Sequence, residues 1–368
     1  MTGQAHAAVI YNPIKVDLDS LKAEVGARDT ANGWGETLWF STSETDAGQD
    51  ATRSALKAGA TMVIAAGGDG TVRAVAEAVY ESDAVLALLP SGTGNLLARN
   101  LNLTLDDMGH SLDVAFSGTD RSIDLGLIEI TDENREVTQH AYVVMAGLGL
   151  DAKMLANTDD ELKKRVGWLA YVRAMADALR DKNELTFRYR LDGDRTRSMR
   201  AHTLIVGNCG ALPGNIVLLP DAAIDDGEFD ILLLRPESVL GWLQIFAKVL
   251  WENGIVRRTV AGRRLPVSEV HAIRYARGRT LDVQLMSPQP IELDGDEFGM
   301  ALALSTSVKP GGLRVRVPSA DMAKPSLLPA VLKGDIRWAA TLGRVGIIAA
   351  ILGAGAALVL RSRRHRCK

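Results

Sequence analysis

Two short glycine-rich segments have the composition of phosphate-binding loops. The first is GGDGT at residues 67–71 and the second is SGTGN at residues 91–95. Each follows an apolar stretch that predicts a buried strand and precedes a helical pattern, which is where ligands bind in open parallel sheets. Glycine lets a ligand approach the backbone closely, and the N-terminus of the next helix offers free N–H groups to a phosphate. The two segments together predict a nucleotide site.

The first of these loops also contains an acidic side chain, Asp69. A carboxylate repels a bare phosphate, so its presence indicates a nucleotide that is bound together with Mg²⁺. For one loop alone, a tight turn with Thr71 as the helix cap explains the glycines equally well. Two such loops in neighbouring strand-helix units favour the nucleotide. The chain has no GxxxxGK[ST] sequence, which excludes a P-loop kinase.

Two further motifs lie later in the chain. The segment ELDGDE at 292–297 predicts a hairpin turn at its Asp-Gly pair. Alone it is typical of a solvated turn, and it gains a chemical role only if it faces the phosphate loops. The segment GLGLDA at 147–152 fits a dinucleotide fingerprint, but residues 167–171 have a helical pattern where that site needs an acidic strand end. We therefore interpret GLGLDA as a strand-to-loop turn.

The elements that would position these residues change character along the chain. Strand patterns at 6–11, 37–42, 61–66 and 85–89 alternate with helical ones and predict a parallel sheet. After about residue 120 strand patterns follow one another, with Asp-Gly turns and two helices, at 160–181 and 238–252, and they predict an antiparallel β domain. The predicted strands are 121–130, 139–146, 185–191, 201–207, 229–235, 268–275, 281–286, 289–293, 300–307 and 313–317. The predicted domains are an α/β domain over 1–120 and a β domain over 121–318.

The C-terminal segment has a different composition. After a linker at 319–337, residues 338–360 carry Arg344 as their single charge, and residues 361–368 are rich in arginine. The pattern predicts a C-terminal apolar helix that associates with an anionic membrane surface, with the catalytic domains on the cytoplasmic side of the inner membrane. An apolar helix docked on the β domain is the alternative.

Overall composition excludes several classes of protein. A chain of 368 residues with 47% hydrophobic and 24% charged residues is typical of a folded protein of two domains. A net charge of −3 argues against a nucleic-acid partner. The two cysteines, Cys209 and Cys367, lie far apart and form no CxxC pair, and no HExxH sequence occurs. A disulfide framework and a zinc hydrolase are therefore excluded.

The motifs as an ordered set resemble one family, the bacterial diacylglycerol kinase-like lipid kinases, which are relatives of the sphingosine and ceramide kinases. The resemblance covers about residues 7–317. It rests on GGDGT (67–71), GTGN (92–95), DLG (124–126), AGLGLDA (146–152), DDG (225–227) and LDGD (293–296). It implies an NAD-kinase-like α/β domain followed by a β-sandwich, with the active site in the cleft between them.

The resemblance also implies roles for individual residues. Asp69 would organise the catalytic Mg²⁺, Asp124 would belong to the same acidic network, and Asp296 would be the base that deprotonates a lipid hydroxyl. Asp226 would fall at a second, structural Mg²⁺ site. The residues that would surround ATP are Asn12, Thr42, Gly67, Gly68, Asp69, Gly70, Thr71, Thr93 and Asn95.

The chain departs from the family pattern at several positions. Ala74 and Leu96 stand where the family often has Glu and Asp, and Asp296 is followed by Glu297, which leaves the identity of the base open. The first loop lacks the common Ser-Gly pair, and Lys15 could supply the missing positive charge. The expected function is phosphorylation of a membrane alcohol by ATP, with diacylglycerol giving phosphatidic acid. The alternatives are an NAD-kinase-like enzyme and a nucleotide-binding regulator without turnover, and a homodimer stays open.

Overall fold

Strands and helices alternate at the start of the chain, as the apolar pattern predicts. The computed structural model describes residues 5–149, 185–212, 216–235 and 273–322. Its first elements are β1 (His6–Tyr11), α1 (Leu18–Asn32), β2 (Gly35–Ser41), α2 (Gln49–Lys57), β3 (Ala60–Gly67), α3 (Asp69–Val79), β4 (Val85–Pro90), α4 (Leu96–Asn100) and α5 (Met108–Ser117).

The four strands of this part form a parallel sheet in the order β2-β1-β3-β4. Successive residues of β1 and β3 point to opposite faces and are buried on both, because α2 and α3 cover one face while α1 and α5 cover the other. All four carboxyl ends lie along one edge of the sheet. The chain segments that follow them, at residues 12, 42, 68 and 91, are therefore brought together there.

Two helices of this part were not predicted from the sequence. Helix α1 buries only Leu21, Val25 and Asp29, so its apolar stripe is too thin to stand out from the polar residues around it. Helix α5 is a short helix capped by Asp107, whose carboxylate accepts the N–H of His110.

The rest of the described chain is antiparallel β structure apart from the parallel contact of its last strand with β4. Its strands are β5 (Thr119–Asp132), β6 (Val137–Tyr142), β7 (Met145–Leu148), β8 (Leu185–Leu191), β9 (Arg197–Ala201), β10 (Thr203–Gly207), β11 (Ala211–Leu212), β12 (Ile216–Val217), β13 (Phe229–Leu234), β14 (Ile273–Gly278), β15 (Thr280–Leu293) and β16 (Asp296–Val317). The described part of the GLGLDA segment lies in and after β7, which pairs antiparallel with β10 and β15. A dinucleotide fingerprint requires a parallel strand there.

One hydrogen-bonded sheet joins the two parts of the chain. Strand β16 pairs antiparallel with β5 and β15, and its end lies parallel to β4 through Val315 and Leu86. Apolar residues of both parts share one core, in which Val63 and Leu86 pack with Leu125 and Val315. Residues up to Met322 form one compact unit. The domain boundary at residue 120 stays a prediction.

Several predicted strand limits were wrong. The strands predicted at 281–286 and 289–293 are both part of β15, and those at 300–307 and 313–317 are both part of β16. In each case the pairing continues after a register shift, between Gln284 and Gln289 in β15 and between Lys309 and Leu313 in β16. A bulge interrupts the two-residue alternation in the sequence without ending the strand.

The predicted helices at 160–181, 238–252 and 338–360 lie outside the described residues, as do the linker from residue 323 onward and the basic tail. Among the residues that are described, no helix combines the length and the apolar content needed to cross a membrane.

Candidate active site

The two glycine-rich loops touch each other at the carboxyl edge of the parallel sheet. They follow the neighbouring strands β3 and β4, and the N–H of Ser91 donates to the carbonyl oxygen of Gly67 at 3.0 Å. A β-carbon on Gly92 would lie 2.7 Å from the α-carbon of Gly68, so a side chain at position 92 would force the loops apart. The glycines therefore allow the backbones of the two loops to lie directly against each other.

Asp69 holds the two loops together. It is the first residue of α3, and its Oδ2 accepts the N–H of Asn95 at 2.9 Å while its Oδ1 accepts the N–H of Leu96 at 2.5 Å. Burial raises the pKa of Asp69 above its ordinary value, although the two amide hydrogen bonds oppose this shift; the negative charge of Asp296 raises the pKa further. The carboxylate therefore bridges the start of α3 and the start of α4.

Hydrogen bonds of the Asn95 side chain hold the shape of the second loop. Asn95 has a left-handed backbone with φ 48°, and its side chain accepts the N–H of Gly92 at 3.1 Å and donates to the carbonyl oxygen of Gly92 at 2.8 Å. Asparagine tolerates this conformation better than most residues. In the first loop, a β-carbon on Gly67 would meet the Thr71 side chain. Thr71 is buried over its own loop, and Thr93 is exposed at the tip of the other.

The segment after β1 brings a positive charge to the loops. The N–H of Asn12 donates to the carbonyl oxygen of Ala66, and the Asn12 Oδ1 accepts the N–H of Ile14; both distances are 3.0 Å. This turn sends the Lys15 side chain back over the first loop, where its Nζ would lie 2.8 Å from a β-carbon on Gly68. An ammonium group in this place can hold a phosphate against the loop.

Thr42 lies on the other side of β1. It is buried, and its N–H donates to the carbonyl oxygen of Tyr11 at 2.9 Å. Thr42 therefore lies at the same sheet edge as the two loops.

The late acidic turn faces the first phosphate loop. A β-carbon on Gly70 would collide with the Oδ2 of Asp296, so the carboxylate lies directly against the start of α3. Burial raises the pKa of Asp296, while the positive charges of Arg73 and then Lys15 lower it. Asp296 and Glu297 are both exposed in part, but Glu297, as the next residue on an extended strand, points to the opposite side. Of the two carboxylates, Asp296 is the one beside the loop.

The preceding aspartate, Asp294, shapes the turn from inside. It is 2% exposed and has φ 52°. Its Oδ1 accepts the N–H groups of Val144 and Met145 at 2.8 and 2.9 Å, and its Oδ2 accepts that of Val143 at 2.8 Å. Burial raises the pKa of Asp294 to about 6, and the three amide donors oppose the rise. Asp296 lies in the turn that Asp294 begins. Asp294 thus attaches this turn to residues 143–145, at the start of β7.

We expect Asp294→Asn to lower the free energy of unfolding by about 2–3 kcal/mol, because an amide –NH₂ replaces an acceptor oxygen and leaves at least one buried N–H without a partner. Urea unfolding followed by circular dichroism measures the change. Asp192→Asn is the matched control, since Asp192 also begins an Asp-Gly turn and accepts two N–H groups, from Arg279 and Thr280, but is exposed. Equal losses in the two variants would contradict the role of Asp294.

Asp124 binds backbone amides away from the loops. Its Oδ1 accepts the N–H of Gly311 at 2.8 Å, and its Oδ2 accepts that of Gly227 at 2.6 Å. It is 1% exposed. The hydrogen bonds described for its carboxylate go to these two glycines and none joins it to Asp69. The structure therefore shows Asp124 holding the bulge of β16, and its place in a catalytic network stays a prediction.

Asp226 has a cationic neighbour. Its Oδ1 accepts the N–H of Glu228 at 3.1 Å, and the Nη1 of Arg277 lies 3.9 Å from its Oδ2. Arg277 also binds Asp230, at 3.1 Å. Within the described part of the chain, no group of three His, Cys, Asp or Glu side chains could hold a metal ion. Asp226 as a metal ligand stays a prediction.

Sequence reasoning missed Arg73, which is 4% exposed in the second turn of α3. The apolar residues of α3 predict one buried face. Arg73 lies beside Val72, and a charged residue in such a helix is typically on the solvent-exposed face. Glu77, four residues later, is the one sequence feature that indicates a partner for Arg73, since this spacing favours an ion pair on a helix.

Comparisons with known proteins identify the family of this chain. The model of the diacylglycerol kinase catalytic domain matches residues 6–128. The model of the YegS C-terminal NAD kinase beta sandwich-like domain matches residues 143–317. Together the two matches contain every described residue discussed above as a site residue.

Individual relatives cover most of the chain. A protein of Pseudomonas aeruginosa named "Probable lipid kinase YegS-like" is 33% identical over 268 residues, which is 72% of this chain and 79% of the relative. The diacylglycerol kinase of Bacillus subtilis is 26% identical over 298 residues, 80% of this chain and 90% of the relative. The crystal structure of a diacylglycerol kinase from Bacillus anthracis superposes with a TM-score of 0.61 at 19% identity over 87% of this chain and 99% of that one. It shares the fold.

Proposed function

The chain belongs to the YegS-like, diacylglycerol kinase-like family, and from this premise we propose that it is an ATP- and Mg²⁺-dependent lipid kinase. It transfers the γ-phosphoryl group of ATP to the hydroxyl group of a membrane lipid, converting diacylglycerol to phosphatidic acid. The observation that carries the proposal is the position of the Asp296 carboxylate, which lies against Gly70 in the phosphate loop. A base beside a phosphate loop is what transfer to an alcohol requires.

The two loops bind the triphosphate. The ammonium group of Lys15 lies over Gly68 of the first loop. Together with the N-terminus of α3 it holds the negative charge of the phosphates. Asn95 keeps the second loop in its binding shape through both hydrogen bonds to Gly92. Holding the phosphates in one geometry supplies much of the catalysis in phosphoryl transfer.

The residues present fit a magnesium ion at Asp69. Burial raises the pKa of Asp69, and the negative charge of the nearby Asp296 raises it further, so a cation between the two carboxylates would be favoured. Each Asp69 oxygen accepts one N–H group and so keeps a lone pair for a metal. Mg²⁺ in such sites needs only one or two carboxylates together with phosphates and water. When bound, the ion offsets the charge that develops on the phosphates.

Asp296 accepts the proton of the lipid alcohol. As the alcohol oxygen forms its bond to the γ-phosphorus, the bond between that phosphorus and the bridging oxygen breaks and ADP leaves. The carboxylate must be ionised for this role. Arg73 and Lys15 favour the ionised form and burial opposes it.

Labelled ATP with vesicles of diacylglycerol and phosphatidylglycerol tests the function. Mg²⁺-dependent transfer of the label to phosphatidic acid is the expected result. Parallel reactions contain NAD or extracted total lipids. Label in NADP would instead support an NAD-kinase-like enzyme, and bound nucleotide without any labelled product would support a regulator.

We expect Lys15→Met to raise the KM for ATP roughly tenfold while changing kcat less, because a cation that binds the phosphates in the ground state contributes mainly to binding. Steady-state kinetics at varied ATP concentration measure both constants. Lys22→Met is the control, since Lys22 is exposed on α1 with its Nζ 5.7 Å from the Trp39 ring. A KM for ATP that is unchanged in Lys15→Met would contradict the placement of Lys15 at the phosphates.

The C-terminal segment supports a proposal about location. Residues 338–360 are apolar and residues 361–368 carry five basic side chains. We propose that this segment holds the enzyme at the anionic inner face of the membrane, where its lipid substrate lies.

We expect a chain that ends at Pro318 to leave the membrane fraction and to phosphorylate vesicle-bound lipid much more slowly than short-chain lipid in solution. The cut follows the last residue of β16, Val317, so all described strands are kept. A full-length variant with glutamine in place of the five basic residues isolates the electrostatic part. A truncated chain that still sediments with membranes would refute the proposal.

A further inference from the structure

A buried arginine lies behind the acidic turn. The Arg73 guanidinium is 3.1 Å from the Oε2 of Glu77, and its central carbon is 4.4 Å from the centre of the Phe298 ring. Arg73 is 4% exposed, and its Nε has no hydrogen-bond partner. Burying a charge this fully is costly unless the charge is paired. The protein therefore maintains a cation in a place where a neutral side chain would be simpler to accommodate.

The same cluster includes a third element of the fold. Glu77 accepts the N–H of Ala141 at 2.9 Å, and its Oε2 lies 3.8 Å from the Nδ1 of His140. The His140 ring meets the Phe298 ring edge to face at 4.7 Å. These contacts connect α3, which begins in the phosphate loop, with β6 and with β16.

The spacing of the contacts explains what the cluster does for the active site. On β16, Asp296 and Phe298 are two residues apart and point to the same side. On α3, Gly70 and Arg73 are three residues apart and lie on the same face. The strand therefore meets the helix in two matched contacts, Asp296 on Gly70 and Phe298 on Arg73.

We propose that Arg73 is a positioning residue for Asp296: paired with Glu77 and stacked on Phe298, it holds the first residues of β16 against α3 so that the Asp296 carboxylate stays over Gly70. The inference rests on the proposed function, in which Asp296 is the base. Asp294 fixes the other end of the turn, through its bonds to the N–H groups of residues 143–145 at the start of β7. The turn is thus held at both ends and presents one carboxylate between them.

A double variant, Arg73→Met/Glu77→Met, tests the proposal without leaving a buried charge unpaired. We expect amide hydrogen exchange at residues 295–298 to become about tenfold faster, because the turn opens locally more often. We expect kcat for lipid phosphorylation to fall roughly 10- to 100-fold, with the KM for ATP unchanged, because a small displacement of a catalytic group has effects of this size.

Two controls separate positioning from general stability. Asp50→Met/Arg53→Met removes an exposed ion pair of similar spacing on α2, and neither the exchange nor kcat should change. Asp296→Asn should lose turnover while residues 295–298 keep their slow exchange. Unchanged exchange in the Arg73/Glu77 variant, or faster exchange with unchanged kcat, would overturn the proposal.

The readouts also distinguish this proposal from the proposed function. If the wild-type chain phosphorylates no lipid, the proposed function fails, and hydrogen exchange alone then decides whether Arg73 holds the turn. In that case faster exchange in the double variant supports the positioning contact, and unchanged exchange overturns it.

Discussion

Asp296→Asn is expected to reduce kcat for lipid phosphorylation by about a thousandfold, because an asparagine amide cannot take the proton of the attacking alcohol. The KM for ATP should change little, since the loops and Lys15 hold the phosphates without Asp296. Initial rates with labelled ATP and diacylglycerol vesicles give both constants. Because burial raises the pKa of Asp296, kcat/KM of the wild-type chain should begin to fall on the acid side at a pH above the ordinary pKa of an aspartate.

The neighbouring carboxylate provides the matched control. Glu297→Gln removes the same kind of charge one residue away, but on an extended strand this side chain lies on the opposite side from Asp296. Its effect on kcat should be within about threefold, which is typical of a surface substitution that touches no substrate. If Glu297→Gln were the more damaging change, Asp296 would not be the base.

Asp69→Asn is expected to reduce turnover by three orders of magnitude or more, roughly the combined effect of losing a metal ligand and loosening the phosphate loops. The variant keeps one acceptor oxygen for the N–H groups of Asn95 and Leu96, so the fold should survive. The activity that remains should need a much higher Mg²⁺ concentration. Titration of Mg²⁺ at saturating ATP measures this shift.

Asp50→Asn is the control for this second change. Asp50 also lies in the first turn of a helix, α2, but pairs with Arg53 on the surface at 2.9 Å. Its replacement should leave turnover and Mg²⁺ dependence unchanged. Normal activity of Asp69→Asn with an unaltered Mg²⁺ requirement would contradict the role of Asp69.

The parallel part of the fold was predictable from the sequence because its signals are local. Buried strands such as β3 and β4 are continuous apolar runs, and the glycines at or just after their ends mark the turn into the next helix. The predicted strand at 85–89 agrees with β4 within one residue. The resemblance to the diacylglycerol kinase-like family, read from the order of the motifs, is confirmed by both family matches.

The site itself depends on contacts that no local pattern contains. Asp294 and Asp296 lie in one acidic turn, yet one is buried among backbone amides and the other faces the phosphate loop. Strand alternation alone places them on the same side, and only the left-handed backbone of Asp294 and Gly295 separates them. The contact of Arg73 with Phe298 could not be found for a similar reason, since Phe298 lies 225 residues later in the chain.

The long strand β16 belongs to both parts of the fold, and this limits how parts of related chains can be exchanged. It begins at Asp296 in the candidate active site and ends beside β4 of the parallel sheet, where Leu313 and Val315 join the core formed by the first part of the chain. The parallel sheet of the first part is thus completed by the last strand of the antiparallel part. A chimera that exchanges residues 1–120 between relatives would place a foreign β4 beside β16, and we expect it to be less stable than either parent.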